Sequence, residues 1–175
     1  MDWSAIAKQA QEAFRQGVND WIGAAQIRGG QVRGTGASLT PGSLVSSVNI
    51  ETVMQQKMLS SQIPADIARA LASALAGAWN DWASRFQMEV PNAYPTFAAF
   101  PGPNAPPTPT ATGPIPLSRG FSAGEASLKA AVLGPKLTSA LRAHARKMSG
   151  PPDQVLKNLA QWVESSFTEW KAMAT

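Results

Sequence analysis

The chain has 175 residues, of which 15% are charged and 44% are hydrophobic, and its formal net charge is +4. Average soluble domains carry about 25% charged residues, so this chain is poor in charge, while its hydrophobic content is too high for a disordered protein. It has no cysteine and a single histidine, His144, which excludes disulfides, cysteine nucleophiles and metal sites that need thiolates or two histidines.

Three long helices are predicted, at residues 2–26, 64–87 and 153–172, because apolar side chains recur there every three or four positions. In the first helix the apolar stripe comprises Trp3, Ile6, Ala10, Phe14, Val18, Trp21 and Ala25. Gly17 lies inside this helix, where glycine costs about 1 kcal/mol relative to alanine. We therefore expect either close packing or a bend at that position.

Residues 28–49 comprise a glycine-rich stretch followed by an uncharged stretch of small polar residues. This pattern fits either a loop or a pair of short strands. A short helix is predicted to follow at residues 50–59. The glycine spacing fits neither a phosphate-binding loop nor a dinucleotide fingerprint, so a flexible linker is expected there.

The helix at 64–87 is rich in alanine, and its apolar stripe ends in Trp82 and Phe86. Pro64 suits a first helical turn, and Asp66 complements the positive end of the helix dipole. Alanine makes a helix slim, which lets neighbouring helices approach closely. We expect it to serve a tight bundle or a contact between chains.

Residues 88–121 are predicted to form an extended arm. Nine of the 14 prolines lie between Pro91 and Pro116, and the 29 residues between Glu89 and Arg119 carry no charge. Proline excludes helix and central strand and favours polyproline II. An uncharged arm with aromatic side chains is expected to lie on an apolar surface, either of its own helices or of a neighbouring chain. Partner contact is predicted for the aromatic and proline side chains of this arm, at Tyr94, Phe97, Phe100, Pro103, Pro106 and Pro109.

Residues 122–175 are predicted to be helical again. Ser122 and Glu125 have the spacing of a capping box. The Gly134-Pro135 pair is expected to end one helix and start another, and the last helix is expected to follow Pro152. Either Trp162 or Val163 is expected on the apolar face of that last helix.

Four of the six tryptophans follow an acidic residue, as in Asp20-Trp21, Asp81-Trp82 and Glu169-Trp170. The simpler interpretation is a tryptophan at the edge of each buried face, beside a solvated acid. The alternative is a duplicated unit whose Trp21, Trp82 and Trp170 make equivalent helix contacts in an assembly.

No acid occurs between Ala126 and Pro152, whereas Arg142, Arg146 and Lys147 lie within this segment. These cations could contact an anion such as a nucleic acid. A solvated or protein-facing surface is the simpler interpretation, because no nucleic-acid-binding motif accompanies them.

Catalysis is not expected. A serine–histidine–acid arrangement would have to use His144, which has no acid near it in the sequence, and the 11 acidic residues are dispersed. No catalytic, metal or cofactor site is predicted. No secretory signal and no membrane-spanning stretch is recognised, and the localisation stays open.

The sequence therefore predicts an all-α protein of five or six helices, in a small bundle or helical hairpins. It would divide into a helical part at 1–87, the arm at 88–121 and a helical part at 122–175. The expected function is that of a structural or assembly subunit of a larger bacterial or phage particle, such as a virion, a tail or an injection device. The alternatives are a helical adaptor, chaperone or effector accessory that binds one partner through the arm, and a small basic nucleic-acid-binding protein.

Overall fold

A computed structural model describes residues 2–28, 31–33, 36–90, 117–144 and 153–174. Most of these residues are helical and a few form short strands, so the fold is broadly all-α, as predicted. The α-helices of the described residues are α1 Trp3–Gly23, α2 Ile50–Ser60, α3 Ala65–Ser84, α4 Ala130–His144 and α5 Asp153–Met173. Two 3₁₀ helices cover Leu117–Arg119 and Ala123–Leu128.

The three long helices form close to where the hydrophobic period places them. Asp2 begins α1, since its Oδ1 accepts hydrogen bonds from the backbone N–H groups of Ser4 and Ala5 at 2.9 and 3.3 Å. α1 ends before residue 26 because Ala25–Ile27 form a strand instead. None of the helices in the described ranges is long and apolar enough to cross a membrane.

The predicted helix break at Gly134-Pro135 is wrong, because α4 runs through this pair from Ala130 to His144. Pro135 is only the sixth residue of α4, so its missing N–H removes one hydrogen bond, to the carbonyl of Ala131. Ala131 is exposed, and water can therefore hydrate that carbonyl. A proline inside a helix costs about 3 kcal/mol, and the burial of Leu137 and Leu141 on the same helix offsets this cost.

Ser122 and Glu125 do not form the predicted capping box. The Ser122 hydroxyl donates to the carbonyl oxygen of Trp82 at 2.7 Å and accepts from the backbone N–H of Gly124 at 3.1 Å. Glu125 accepts instead from the ammonium group of Lys171 at 2.6 Å. The two side chains thus hold the second 3₁₀ helix against α3 and α5.

Short strands cover much of the region that the sequence left open between loop and strand. β1 Ala25–Ile27 pairs with β4 Leu44–Ser46 in a two-stranded antiparallel sheet. A second sheet has the order β2 Gln31–Arg33, β3 Gly36–Leu39, β5 Phe86–Val90 and β6 Phe121–Ser122, all antiparallel. In the pairing of β5 with β6, Phe86 lies opposite Ser122 and Gln87 opposite Phe121.

α3 is the central element of the core. It packs against α1, α2, α4 and the second 3₁₀ helix. Its small side chains are covered by these neighbours within the same chain; they include Ala68, Ala70, Ala72, Ala76, Ala78 and Ala83, each no more than 4% exposed. Buried residues of the N-terminal and C-terminal helical parts belong to one continuous hydrophobic core.

Close approach between elements explains several glycines, of which Gly17 and Gly124 are two. Gly17 of α1 is buried, and a Cβ there would lie 3.0 Å from Ile50 Cγ1 and from Met54 Cγ of α2. Gly124 lies so close to α3 that a Cβ would be 2.0 Å from the carbonyl oxygen of Asp81. Close packing, rather than a bend, therefore accounts for the glycine inside α1.

We predict that Gly124→Ala and Gly77→Ala change stability in opposite directions. The new methyl group at residue 124 would collide with backbone atoms of α3 and cost about 2–3 kcal/mol of unfolding free energy. At the exposed helical Gly77 a Cβ meets nothing within 4 Å, so alanine should add about 0.5–1 kcal/mol. Urea unfolding followed by circular dichroism measures both, and equal stability of the two variants would contradict this packing.

Candidate functional site

Trp79 and Trp82, one turn apart near the end of α3, form the centre of an aromatic cluster. Their ring centroids are 4.8 Å apart, and both rings are buried. α1 contributes Trp21, whose ring lies 5.5 Å from that of Trp79. α5 contributes Trp170, at 5.4 Å from Trp79, and Phe167, at 5.3 Å from Trp82. Edge-to-face and tilted ring contacts of this kind are favourable beyond the area they bury, so the cluster ties α1 and α5 to α3.

The three tryptophans predicted as helix contacts, Trp21, Trp82 and Trp170, therefore lie in or beside this cluster. Trp21 and Trp82 are 6% and 0% exposed, so within this chain they serve its own core. Trp170 is half-buried and reaches the surface.

The acids that precede these tryptophans have different surroundings. Asp20 and Glu169 are exposed, as the simpler interpretation expects. Asp81 is half-buried; it accepts a hydrogen bond from the Ser127 hydroxyl and pairs with Arg85 at 2.9 Å. The three acid–tryptophan pairs are thus not equivalent in this structure.

An apolar cleft opens over the aromatic cluster, between α1 and α5, with α3 beneath it. Its volume is about 170 Å³. Five aromatic residues line it, namely Trp79 of α3 together with Phe14, Trp162, Phe167 and Trp170. Almost all of its surface is carbon, so it suits an apolar group rather than an ion.

The polar residues of the cleft carry little net charge. Arg15 of α1 lines it, but the guanidinium group of Arg15 already pairs with the carboxylate of Glu12. Asn19 and Ser166 are the other polar side chains of the lining, and both are neutral. An apolar centre with a polar margin is the arrangement found at the centres of protein interfaces.

Two buried polar atoms in this region have no partner among the residues that the structure describes. They are the indole nitrogen atoms of Trp79 and Trp82, which are both shielded from solvent. A buried N–H without an acceptor costs about 1–3 kcal/mol. The ring contacts of the cluster are therefore made at a polar cost.

The predicted anion contacts are only partly described. Arg142 is exposed and lies 4.0 Å from a carboxylate oxygen of Asp153, at the start of α5. It borders an open groove of about 590 Å³ between α4 and α5. Arg146 and Lys147 lie outside the described residues. The acid that the local sequence lacks around Arg142 is thus supplied by the next helix.

The arm residues predicted to contact a partner, Tyr94, Phe97, Phe100, Pro103, Pro106 and Pro109, lie outside the described residues. Both flanks of this segment are described. On one side, Val90 ends β5, which pairs with β6 beyond the segment. On the other side, the Leu117 N–H donates to the carbonyl oxygen of Ala174 at 3.0 Å. The flanks are therefore held by one small sheet and the end of α5.

A metal centre finds no support among the residues that the structure describes, since no three histidine, cysteine or acidic side chains converge there. The side chain of His144 is not among the described ones. The cleft residues Phe14, Trp79 and Ser166 were not predicted as a site. The signal that could have found them is the Trp79–Trp82 spacing, which puts two large rings on one face of α3.

We predict that the indole N–H groups of Trp79 and Trp82 exchange with deuterated solvent more slowly than that of Trp3. Both are shielded from water, whereas Trp3 lies half-buried at the first turn of α1. Two-dimensional nitrogen–proton spectra after transfer to D₂O measure this, with Trp79→Phe and Trp82→Phe assigning the peaks. Exchange of Trp79 as fast as that of Trp3 would contradict the burial described here.

Comparison with known proteins gives no match: no protein-family model, no curated protein and no solved structure matches this chain. What the chain does must therefore be inferred from its own residues and contacts.

Proposed function

We propose that the chain is a non-enzymatic structural or assembly subunit of a larger protein particle, of the kind found in virions, phage tails or injection devices. The observation that carries this proposal is the 29-residue uncharged stretch between Glu89 and Arg119, with its Tyr94, Phe97 and Phe100. A plain spacer has no need of three large aromatic side chains. Burial of such side chains against another subunit would gain about 25 cal/mol for each Å² of apolar surface removed from water.

The contacts at the two flanks of the stretch support this proposal. Residues 90 and 117 belong to elements anchored in the core, through β5 and through the bond from Leu117 to Ala174. The ends are thus fixed to a rigid body, and a contact made by the stretch would position the whole subunit. Fixing the ends also lowers the entropy lost when the stretch binds.

The low charge of the chain is consistent with extensive contact between subunits. Charged residues are depleted at the centres of protein interfaces, since burying them costs desolvation energy. The particle type is an inference by architectural analogy with proteins whose extended arms wrap neighbouring subunits. In the alternative of a helical adaptor, the same stretch would bind a single partner at equal stoichiometry, whereas a particle subunit associates in many copies.

We predict that the triple variant Tyr94→Ser, Phe97→Ser, Phe100→Ser loses self-association or multi-copy co-purification. The variant keeps the length and the prolines of the stretch and removes only its large apolar groups. Light scattering across a concentration series measures the native mass. The matched control is Thr108→Ser, Thr110→Ser, Thr112→Ser, which changes three residues of the same stretch and should assemble like the wild type.

A wild-type chain that stays monomeric at every concentration and co-purifies with one partner at equal stoichiometry would contradict the assembly proposal. That result would favour the adaptor.

We also predict that replacing residues 93–116 by a short Gly-Ser linker abolishes association and leaves helicity nearly unchanged. All five α-helices lie outside the deleted residues, and the pairing of β5 with β6 is retained. Far-UV circular dichroism and light scattering on the same sample measure the two effects. A collapse of helicity would mean that the segment belongs to the core of its own subunit.

A further inference from the structure

The cleft between α1 and α5 has the size of a single aromatic ring. Its volume is about 170 Å³, and an apolar protein cavity of about 150 Å³ is known to hold one benzene molecule. Five aromatic side chains line it, and rings pack well against rings in tilted and edge-to-face arrangements. A phenyl or phenol group is therefore the apolar group that fits it best.

The charge of the cleft margin restricts the segment that can carry this ring. Arg15 is neutralised by Glu12, and Asn19 and Ser166 are uncharged. A charged segment would lose hydration here without gaining an ion pair. An uncharged segment would lose nothing of that kind, so the margin favours a neutral occupant.

We propose that the cleft receives one aromatic side chain from the uncharged stretch of a second copy of this chain. The stretch carries Tyr94, Phe97 and Phe100 within a sequence that has no charge from residue 90 to residue 118. It thus supplies both the aromatic ring that fits the cleft and the absence of charge that the margin of the cleft favours. This inference rests on the proposed function, because it names the surface on which the stretch docks.

The first test fills the cleft by mutation. Ser166 lines the cleft, whereas the adjacent Ser165 is exposed and is not part of its lining. Ser166→Trp should occupy the space of the incoming ring and weaken self-association about tenfold or more, whereas Ser165→Trp should assemble like the wild type. Circular dichroism and thermal unfolding check that both variants fold, and Asn19→Trp is the substitute if Ser166→Trp does not.

The second test uses the full-length chain that carries Tyr94→Ser, Phe97→Ser and Phe100→Ser, so that its own stretch does not compete. A synthetic peptide of residues 91–116 is added, and the indole peaks are followed by nuclear magnetic resonance. The Trp79 peak should shift in a saturable way, because a ring bound in the cleft would pack against Trp79, while the peak of Trp3 should not move. With Ser166→Trp added to the same chain, the shift of Trp79 should vanish.

The outcomes separate this inference from the proposed function. If Ser166→Trp assembles like the wild type and the peptide leaves the Trp79 peak unmoved, the cleft assignment is overturned and the assembly proposal stands. If the wild-type chain is monomeric, the assembly proposal fails and the peptide titration alone decides whether the cleft takes the ring. A Trp79 peak that already has the bound position in a dilute monomer would overturn the assignment to a second copy, since the ring would then come from the same chain.

Discussion

The fold depends on the burial of one helix, α3, which is covered by its neighbours except on the face that carries Arg69, Ser73 and Gly77. Its alanines let α2, α4 and the second 3₁₀ helix approach closely, and Ala70 and Ala74 border the groove between α2 and α4. Near its end the residues change from alanine to tryptophan, and Trp79 and Trp82 reach α1 and α5 by ring contacts. The cleft lies where these large rings, rather than alanines, meet α1 and α5.

Tryptophan rings at the centre of the molecule bring buried N–H groups that lack hydrogen-bond acceptors among the described residues. Each indole has one N–H, and helices whose backbone groups already bond to one another offer few free acceptors. Two such donors are left unpaired, at Trp79 and Trp82. Phenylalanine would avoid this cost but would fill less volume. Trp79 differs from Trp82 in also lining the cleft.

Hydrophobic periodicity was enough to predict α1, α3 and α5, since each of these helices buries a stripe that repeats every three or four residues. It was not enough for the strands, which are two to five residues long and show no period at such lengths. It misjudged Gly134-Pro135, because a proline early in a helix costs one hydrogen bond and the burial of Leu137 and Leu141 outweighs it. The cleft also depends on which of two adjacent residues of α5 enters the core. Val163 is buried, whereas Trp162 is half-buried and lines the cleft. The helical period allowed either residue on the apolar face, because the position of α5 against α1 and α3 decides between them.

The scarcity of charge in this chain has a consequence for how a contact could be specific. Interfaces between charged surfaces select partners by matching opposite signs, and like signs exclude wrong partners. Neither the cleft margin nor the stretch from residue 90 to 118 has a net charge with which to do this. Selection would have to come from shape, through one ring in a space of about 170 Å³. A single such site is weak, since a partner must also lose its translational freedom. Many copies held in one particle would bring neighbouring stretches to high effective concentration, and weak individual sites of this kind are then sufficient.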